Sequence, residues 1–311
     1  MPFFSVIIPL YNKEHFIEKT LRSVLNQTFT DFEVLIINDG STDNSTVVLE
    51  HITDPRIQLY HTKNQGVSHA RNYGISKGNS EYVAFLDADD LWQNTHLENL
   101  HQLSVDYPEA QIYCTAYNIQ FSKTSFKKLN FYNIDKQYRG YIDNFFEASR
   151  LDPVLHTGNN AIQANVFGKN VCFDTNMRSG QDTDLWISLA LKYKIAIDNN
   201  SETYTYNKNN ISLSKSPLVK DRVLLFAKYK SFEKQNIDFK RYMDQNRYSV
   251  ALNYKENRKN TTSKLLYKKI DQNNLNLKQK VIFHSPFIVT RLIRYVKDFL
   301  DKKGIFLHLY Q

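Results

Sequence analysis

Through the first 120 residues, short apolar runs alternate with stretches in which apolar positions recur every three or four residues. Ser5-Val6-Ile7-Ile8-Pro9 is the first run, and Phe16, Ile17, Thr20, Leu21, Val24 and Leu25 then follow at helical spacing. FEVLIIN (Phe32 to Asn38) is a second run, closed by Asp39-Gly40-Ser41. The pattern predicts a helix near Asn44 to Ile52, a strand at Ile57 to Tyr60 and a helix from Gly66 to Ser76. It continues with a strand at Tyr82 to Leu86, a helix from Thr95 to Val105 and a strand at Ile112 to Tyr117. Nearly unbroken apolar strands separated by helices of about ten residues mean βαβ units and a parallel sheet covered on both faces. Ligands of such sheets bind beyond the carboxyl ends of the strands. The polar residues after each strand are therefore expected along one edge: Tyr11, Asn12 and Glu14; Asp39, Ser41 and Asp43; Lys63, Asn64 and Gly66; Asp87, Asp89 and Asp90.

From Phe121 to Leu155 the pattern breaks down into aromatic and polar text, expected to be a long loop or insertion with a short helix. A turn and strand resume over His156 to Phe167, followed by a helix from Asp182 to Tyr193 and a strand at Ile195 to Ile197. After Ser216 the chain reads as helical and basic. Residues 201–311 hold 23 Lys+Arg against 9 Asp+Glu, a surplus of 14 in a chain whose net charge is only +8. The organisation expected is therefore 1–118, 119–215 and a basic helical region 216–311. Two cysteines, Cys114 and Cys172, provide neither a disulfide framework nor a metal cluster. The first residues, MPFFSVIIPLYNKE, lack a basic leader and read as a strand. No apolar run approaches the ~18 residues of a spanning helix. The expectation is a cytoplasmic protein.

In YVAFLDADDLW (82–92) an apolar strand runs into three carboxylates. Residues two apart at a strand end point to the same side, so Asp87 and Asp89 would face one ligand. Carboxylates that close repel, and a divalent cation relieves the conflict. Mg²⁺ and Mn²⁺ take oxygen ligands, a few from protein and the rest from water and phosphate. Asp90 alone also reads as the cap of a helical turn beginning at Leu91. Gly66 opens a helix that carries Arg71, a bidentate donor for a phosphate or a partner in an ordinary salt bridge. Asp39 fits a nucleobase edge or ribose, or simply the turn in Asp-Gly-Ser.

Five segments, in order and at matching spacing, resemble the family 2 glycosyltransferases, which have the GT-A fold. They are SVIIPLYN (5–12), TLRSVLNQT (20–28), EVLIINDGSTD (33–43), NQGVSHARNYGI (64–75) and YVAFLDADDLW (82–92). The resemblance implies an α/β domain with a mostly parallel sheet flanked by helices. It places Pro9, Tyr11 and Asp39 at the nucleobase, usually uracil, Arg71 near the nucleotide, Asp87 on the ribose and Asp89 on the metal, Mn²⁺ or Mg²⁺, that bridges to the diphosphate. A second signature lies in SGQDTDLWISLALK (179–192). Where the family usually has Glu-Asp this chain has Gln181-Asp182, which makes Asp182 the catalytic base of an inverting transfer, with Asp184 as the fallback. YNKNNISLS (206–214) departs from a Tyr-Arg-x-His pattern, with Asn207 and Asn209 in place of Arg and His and Lys208 between them. The Gln-x-x-Arg-Trp motif of processive relatives is missing, so one sugar is expected per encounter.

The implied activity is metal-dependent, inverting transfer of a hexosyl or N-acetylhexosaminyl group. The donor would be a nucleotide-sugar, expected to be a UDP-sugar, and the acceptor a glycan or lipid-linked glycan of bacterial polysaccharide or glycolipid synthesis. A catalytically silent nucleotide-sugar- or membrane-binding module is the alternative, kept open by Gln181 and Asn209. A sugar-1-phosphate nucleotidyltransferase is disfavoured, because Pro9-Leu10-Tyr11-Asn12-Lys13 stands where its Gly-rich loop would be. Near the C-terminus, Leu292, Ile293, Val296, Phe299 and Leu300 recur at helical spacing, flanked by Arg291, Arg294, Lys297, Lys302 and Lys303. A basic amphipathic helix of this kind lies in an anionic membrane interface or docks on the protein's own core. No nucleic-acid-reading motif accompanies the charge, so nucleic acid is not an expected partner.

Overall fold

The first strand, β1 (Phe4–Leu10), is buried at every position, so the sheet it belongs to is covered on both faces. α1 (Ile17–Leu25), β2 (Phe32–Asn38), α2 (Ser45–Glu50), β3 (Ile57–His61), α3 (Val67–Lys77) and β4 (Tyr82–Phe85) follow. This is the expected βαβ alternation. α1 buries Ile17, Thr20, Leu21 and Val24, the stripe its spacing predicts. α3 comes so close to β1 that a Cβ on Gly74 would lie 2.5 Å from Ile7 Cγ2. β1 runs parallel to β2 and β4, with Val6 opposite both Val34 and Ala84, and β3 joins parallel to β2. The computed structural model describes residues 1–168, 171–208 and 221–307.

After β4 come β5 (Leu91–Trp92), α4 (His96–Asp106), β6 (Ile112–Ser122), β7 (Ser125–Lys128), β8 (Arg139–Tyr141), α5 (Phe145–Ala148), β9 (Asn160–Gln163), α6 (Gln181–Ala190) and β10 (Ile195–Asn207). The strand order is β3-β2-β1-β4-β9-β6-β10-β5. β9 pairs antiparallel with β4 and β6, and β10 antiparallel with β8 and β5. The sheet is therefore mixed rather than mostly parallel. α4 carries the chain over to β6, which runs parallel to β4, since both are antiparallel to β9; β9, inserted between them later in the chain, runs against both. The segment expected as a loop or insertion with a short helix contains such a helix, α5, but also the strands β7 and β8, and β10 runs far beyond the three residues expected of it.

The chain forms two compact units, 1–119 with 134–143 and 154–207, and 120–133 with 144–153 and 208–311. They do not follow the three consecutive segments expected from the charge shift. Packing explains the interleaving: Phe146 of α5 stands edge-on to Phe239, 4.7 Å between ring centroids. Phe239 belongs to α8 (Ile237–Glu256), which with α7 (Arg222–Lys228), α9 (Asn260–Tyr267), α10 (Leu277–His284) and α11 (Phe287–Lys302) builds the second unit. Its core holds Phe239, Met243, Ala251, Leu266 and Phe283, with Tyr267 stacked on Phe283 at 3.7 Å. Arg247 bridges Asp244 and Glu233 inside it, at 2.5 Å each. Asn236 and Asn276 cap α8 and α10 with their side chains. α11 docks its apolar stripe only in part: Ile293 and Leu300 are half-buried, but Leu292, Val296 and Phe299 are exposed, while Thr290 and Asp301 are buried.

Candidate active site

Because β1, β2 and β4 are parallel neighbours, the residues after them gather on one edge of the first unit. The acidic turn after β4 is held from beneath. Thr20 of α1 donates its hydroxyl proton between the carbonyls of Ala88 and Asp90, at 3.0 and 2.9 Å. Two protein cations meet the crowded carboxylates. Arg71 Nη2 lies 2.6 Å from Asp87 Oδ1, and Lys13 Nζ lies 2.5 Å from Asp89 Oδ2. Burial pushes the Asp87 carboxyl up, but Arg71, aided by His156 and Lys13, pulls it down further, leaving it below the usual carboxylate range.

Asp90 has a different role from the helix cap expected of it. The next residues form β5, and α4 begins only at His96. Asp90 is 1% exposed and accepts hydrogen bonds from the Tyr204 hydroxyl, at 2.5 Å, and from the Asn207 amide, at 2.8 Å. Both donors lie on β10, so Asp90 ties the turn to that strand. Burial, then the charges of Asp87 and Asp89, drive its pKa well up. The Tyr204 oxygen also lies 2.9 Å from His156 Nδ1. The His156 ring packs against Tyr117, Tyr204 and Tyr206. Burial lowers the pKa of His156, while the carboxylates of Asp182 and Asp87 oppose that shift. Lys13, His156 and Tyr204 were not legible as site residues. Only the tertiary pairing of β10 with β5 brings Tyr204 under the turn.

The nucleotide-side residues take distinct positions. Pro9 is buried in β1 opposite Ile37, and Tyr11 beyond the strand end is 46% exposed. Asp39 is buried and accepts hydrogen bonds from the Gln65 and Gly66 amides, at 3.0 and 2.8 Å, and from the Thr62 hydroxyl, at 3.1 Å. It thus anchors the loop leading to α3, where Gly66 has φ +93°. Glu14 accepts from the Asn44 amide at 2.9 Å and braces the neighbouring loop. Arg71 is 3% exposed, its guanidinium 5.0 Å from the Phe173 ring centroid, and its Nε and Nη1 have no hydrogen-bond partner. Asn72 secures the Phe173 segment by bonding both its carbonyl and its amide, at 2.8 and 3.0 Å.

Asp182 stands half-buried in the first turn of α6, after the left-handed Gly180, and accepts the Thr183 amide at 2.8 Å. Its charge is felt at His156 together with that of Asp87, so the field of both carboxylates reaches one ring. Gln181 Oε1 is buried without a hydrogen-bond partner. Asp184, the fallback base, is 2% exposed and buried on α6 together with Leu185, Trp186 and Leu189. Asn209 lies outside the described residues.

Among the described residues no group of three or more His, Cys, Asp or Glu is placed to hold a metal ion. The donor set does not make a protein cage. Mg²⁺ and Mn²⁺ bound with a diphosphate need only one or two carboxylates, since phosphate and water supply the remaining oxygens. Asp89, beside Asp87, fits that use, with Lys13 as the cation already on its oxygen.

An α/β sheet with acidic and polar residues gathered beyond its parallel strands fits the GT-A fold. The sequence model described as Glycosyl transferase family 2 matches residues 5–170, and the chain belongs to that family. An uncharacterized glycosyltransferase of Rickettsia bellii is 36% identical over 192 residues, covering 60% of this chain and 26% of that protein. YibD of Escherichia coli, also named an uncharacterized glycosyltransferase, is 43% identical over 104 residues, 33% of this chain and 30% of that protein. The chain thus spans about a quarter to a third of the length of these curated relatives. Among solved structures, Staphylococcus aureus TarS 1–349 with UDP-GlcNAc superposes with a TM-score of 0.62 at 15% identity, over 98% of this chain and 93% of that one. The same protein with UDP gives 0.58 at 15% identity, over 88% of each chain. At that identity the likeness is one of fold.

Proposed function

We propose that the protein is an inverting glycosyltransferase that uses a UDP-sugar with Mn²⁺ or Mg²⁺. Its acceptor is a glycan or lipid-linked glycan of bacterial surface polysaccharide synthesis, met at the cytoplasmic face of a membrane. The observation that carries this reading is the grouping of Tyr11, Asp39, Arg71, Asp87 and Asp89 on one sheet edge, with Asp182 acting on the same His156 as Asp87. The TarS structures contain UDP and UDP-GlcNAc, which supports uracil as the base.

In this reading Pro9, Tyr11 and Asp39 receive the uracil and Asp87 the ribose. Arg71 neutralises Asp87 and presents buried, unpartnered N–H groups to the nucleotide. A divalent cation bound with the diphosphate would be held by Asp89 and would offset charge developing on the leaving group. Asp182 accepts the proton of the attacking acceptor hydroxyl, a contribution of about 10²–10⁴ in rate. Lys13 moves off Asp89 to a diphosphate oxygen when the donor binds.

The test is Asp182→Asn with calorimetric UDP binding and a transfer assay side by side. Binding should persist while transfer falls by at least about a hundredfold; full transfer activity in the variant would refute the assignment. Mn²⁺-dependent hydrolysis of a UDP-sugar by the parent, without acceptor, separates this enzyme from a silent binding module.

A further inference from the structure

Surface helices normally turn their apolar stripe to the core and their polar face to water. α11 is inverted. Thr290 and Asp301 are wholly buried, whereas Ile288, Leu292, Tyr295, Val296 and Phe299 are exposed by 65, 59, 72, 43 and 54%. The polar side fastens the helix to the second unit. Arg294 pairs with Glu256 at 2.7 Å, and the Ser125 hydroxyl donates to the Asp301 carbonyl at 2.5 Å. Lys297 meets the Asp301 carboxylate at 2.6 Å. These contacts fix which face looks outward. With about 3.6 residues per turn, Ile288, Leu292, Tyr295, Val296 and Phe299 form one stripe, and the exposed Val289 lies at its edge. Arg291 and Lys302 fall along one border of it, and Lys303, the residue just after the helix, lies at its C-terminal end. All three are exposed, and none forms a salt bridge among the described residues. Asp298, next to the Arg291 border, is the one exposed acid of the helix.

We propose that this face of α11 is an in-plane docking surface for an anionic lipid bilayer. An apolar stripe edged with Arg and Lys matches the two layers of a membrane interface. Ile288, Leu292, Val296 and Phe299 enter the acyl boundary, while Arg291, Lys302 and Lys303 sit at phosphate level. Tyr295 has the apolar ring and polar tip suited to that depth. Among the described residues no helix is long and apolar enough to cross a membrane, so the contact is peripheral. The surplus of 14 basic residues over acidic ones in positions 201–311 has the sign that anionic headgroups attract. A second copy is a poorer occupant, because pairing the stripes would bring two basic borders together. This surface deepens the proposed membrane-side acceptor and rests on that reading only for its purpose. Vesicle binding is therefore measured without donor or acceptor, so its failure and a failure of transfer are separate results.

The experiment is flotation of the full chain with vesicles of phosphatidylcholine alone or with 30% phosphatidylglycerol. Binding should be at least tenfold stronger to the anionic vesicles and should weaken as salt rises. Leu292→Glu with Phe299→Glu should abolish it while circular dichroism and UDP binding stay unchanged, since both side chains are exposed. Each of Arg291→Glu, Lys302→Glu and Lys303→Glu should weaken it by about fivefold or more. Failure of the parent to bind anionic vesicles, or undiminished binding by the Leu292/Phe299 variant, overturns the proposal. So does a sedimentation result in which that variant merely converts a dimer to monomer.

Discussion

At the scale of single residues, the site turns on how buried charge is compensated. Asp87 keeps its charge because Arg71 lies against it; Asp90, two residues beyond the Asp87–Ala88 pair and fully enclosed, is driven toward its neutral form. His96 shows the same physics for a base. Its ring is 4.4 Å from Trp92, its Nδ1 lies 2.7 Å from the Thr203 hydroxyl, and burial lowers its pKa to about 3. An unfolded histidine takes up a proton near pH 6.5, so His96 contributes its full stability above that pH. The contribution is lost as pH falls from about 6.5 toward 3, by about 1.4 kcal/mol per pH unit. His96→Phe should remove this slope. Urea unfolding of parent and variant at pH 7 and pH 5 checks it, with a parent-minus-variant loss of about 2 kcal/mol expected between the two. Equal pH dependence in both proteins would show that His96 is protonated in the fold.

At the scale of elements, β10 is the strand that completes the site. It pairs with β5, and its Tyr204 hydroxyl lies within hydrogen-bond reach of Asp90 and His156. The loop before β9 fits closely against it. The Gly158 carbonyl accepts the Trp92 indole N–H at 2.6 Å, and a Cβ at Gly158 would stand 2.5 Å from Tyr204 Cζ. Gly158→Ala must therefore displace a tyrosine with no exposed surface. The expected cost is about 1–3 kcal/mol, read as a lower Tm, with weakened transfer because the Asp90–Tyr204–His156 contacts shift. Gly168→Ala, whose Cβ would meet nothing within 4 Å, is the control and should melt like the parent. Equal melting of the two variants would mean that the loop yields freely.

At the scale of the whole molecule, each of the two units has its own core, and the proposed donor site lies entirely in the first. Hydrogen exchange with UDP and Mn²⁺ should therefore slow in residues 9–14, 62–71 and 87–90 of the first unit, because a ligand that binds only the folded state suppresses local opening. The helices at 237–284, in the second unit, should exchange at unchanged rates. Protection confined to those helices, or none anywhere, would remove the nucleotide site from the sheet edge. The same division explains why the basic surplus could be seen in the sequence while its use could not. Charge counts locate the surplus, but only the packing of α8, α10 and α11 decides which face of α11 meets solvent.

Local pattern determined much of this protein. The strands β1 to β4 and the helices between them follow from runs and spacings within about ten residues, and the parallel order places Tyr11, Asp39 and Asp87 on one edge. The resemblance in 5–92 pointed to the family that the comparison over 5–170 establishes. Everything resting on distant partners was hidden. Asp90 read as a helix cap because Leu91 looked like a helix start; its real donors, Tyr204 and the Asn207 amide, come from a strand more than a hundred residues later. Lys13 reaches Asp89 only because β1 and β4 are neighbours. Spacing also showed that α11 is amphipathic, yet not which way it faces. Periodicity records that two faces differ, whereas the polar contacts of Arg294 and Asp301 decide which one turns inward.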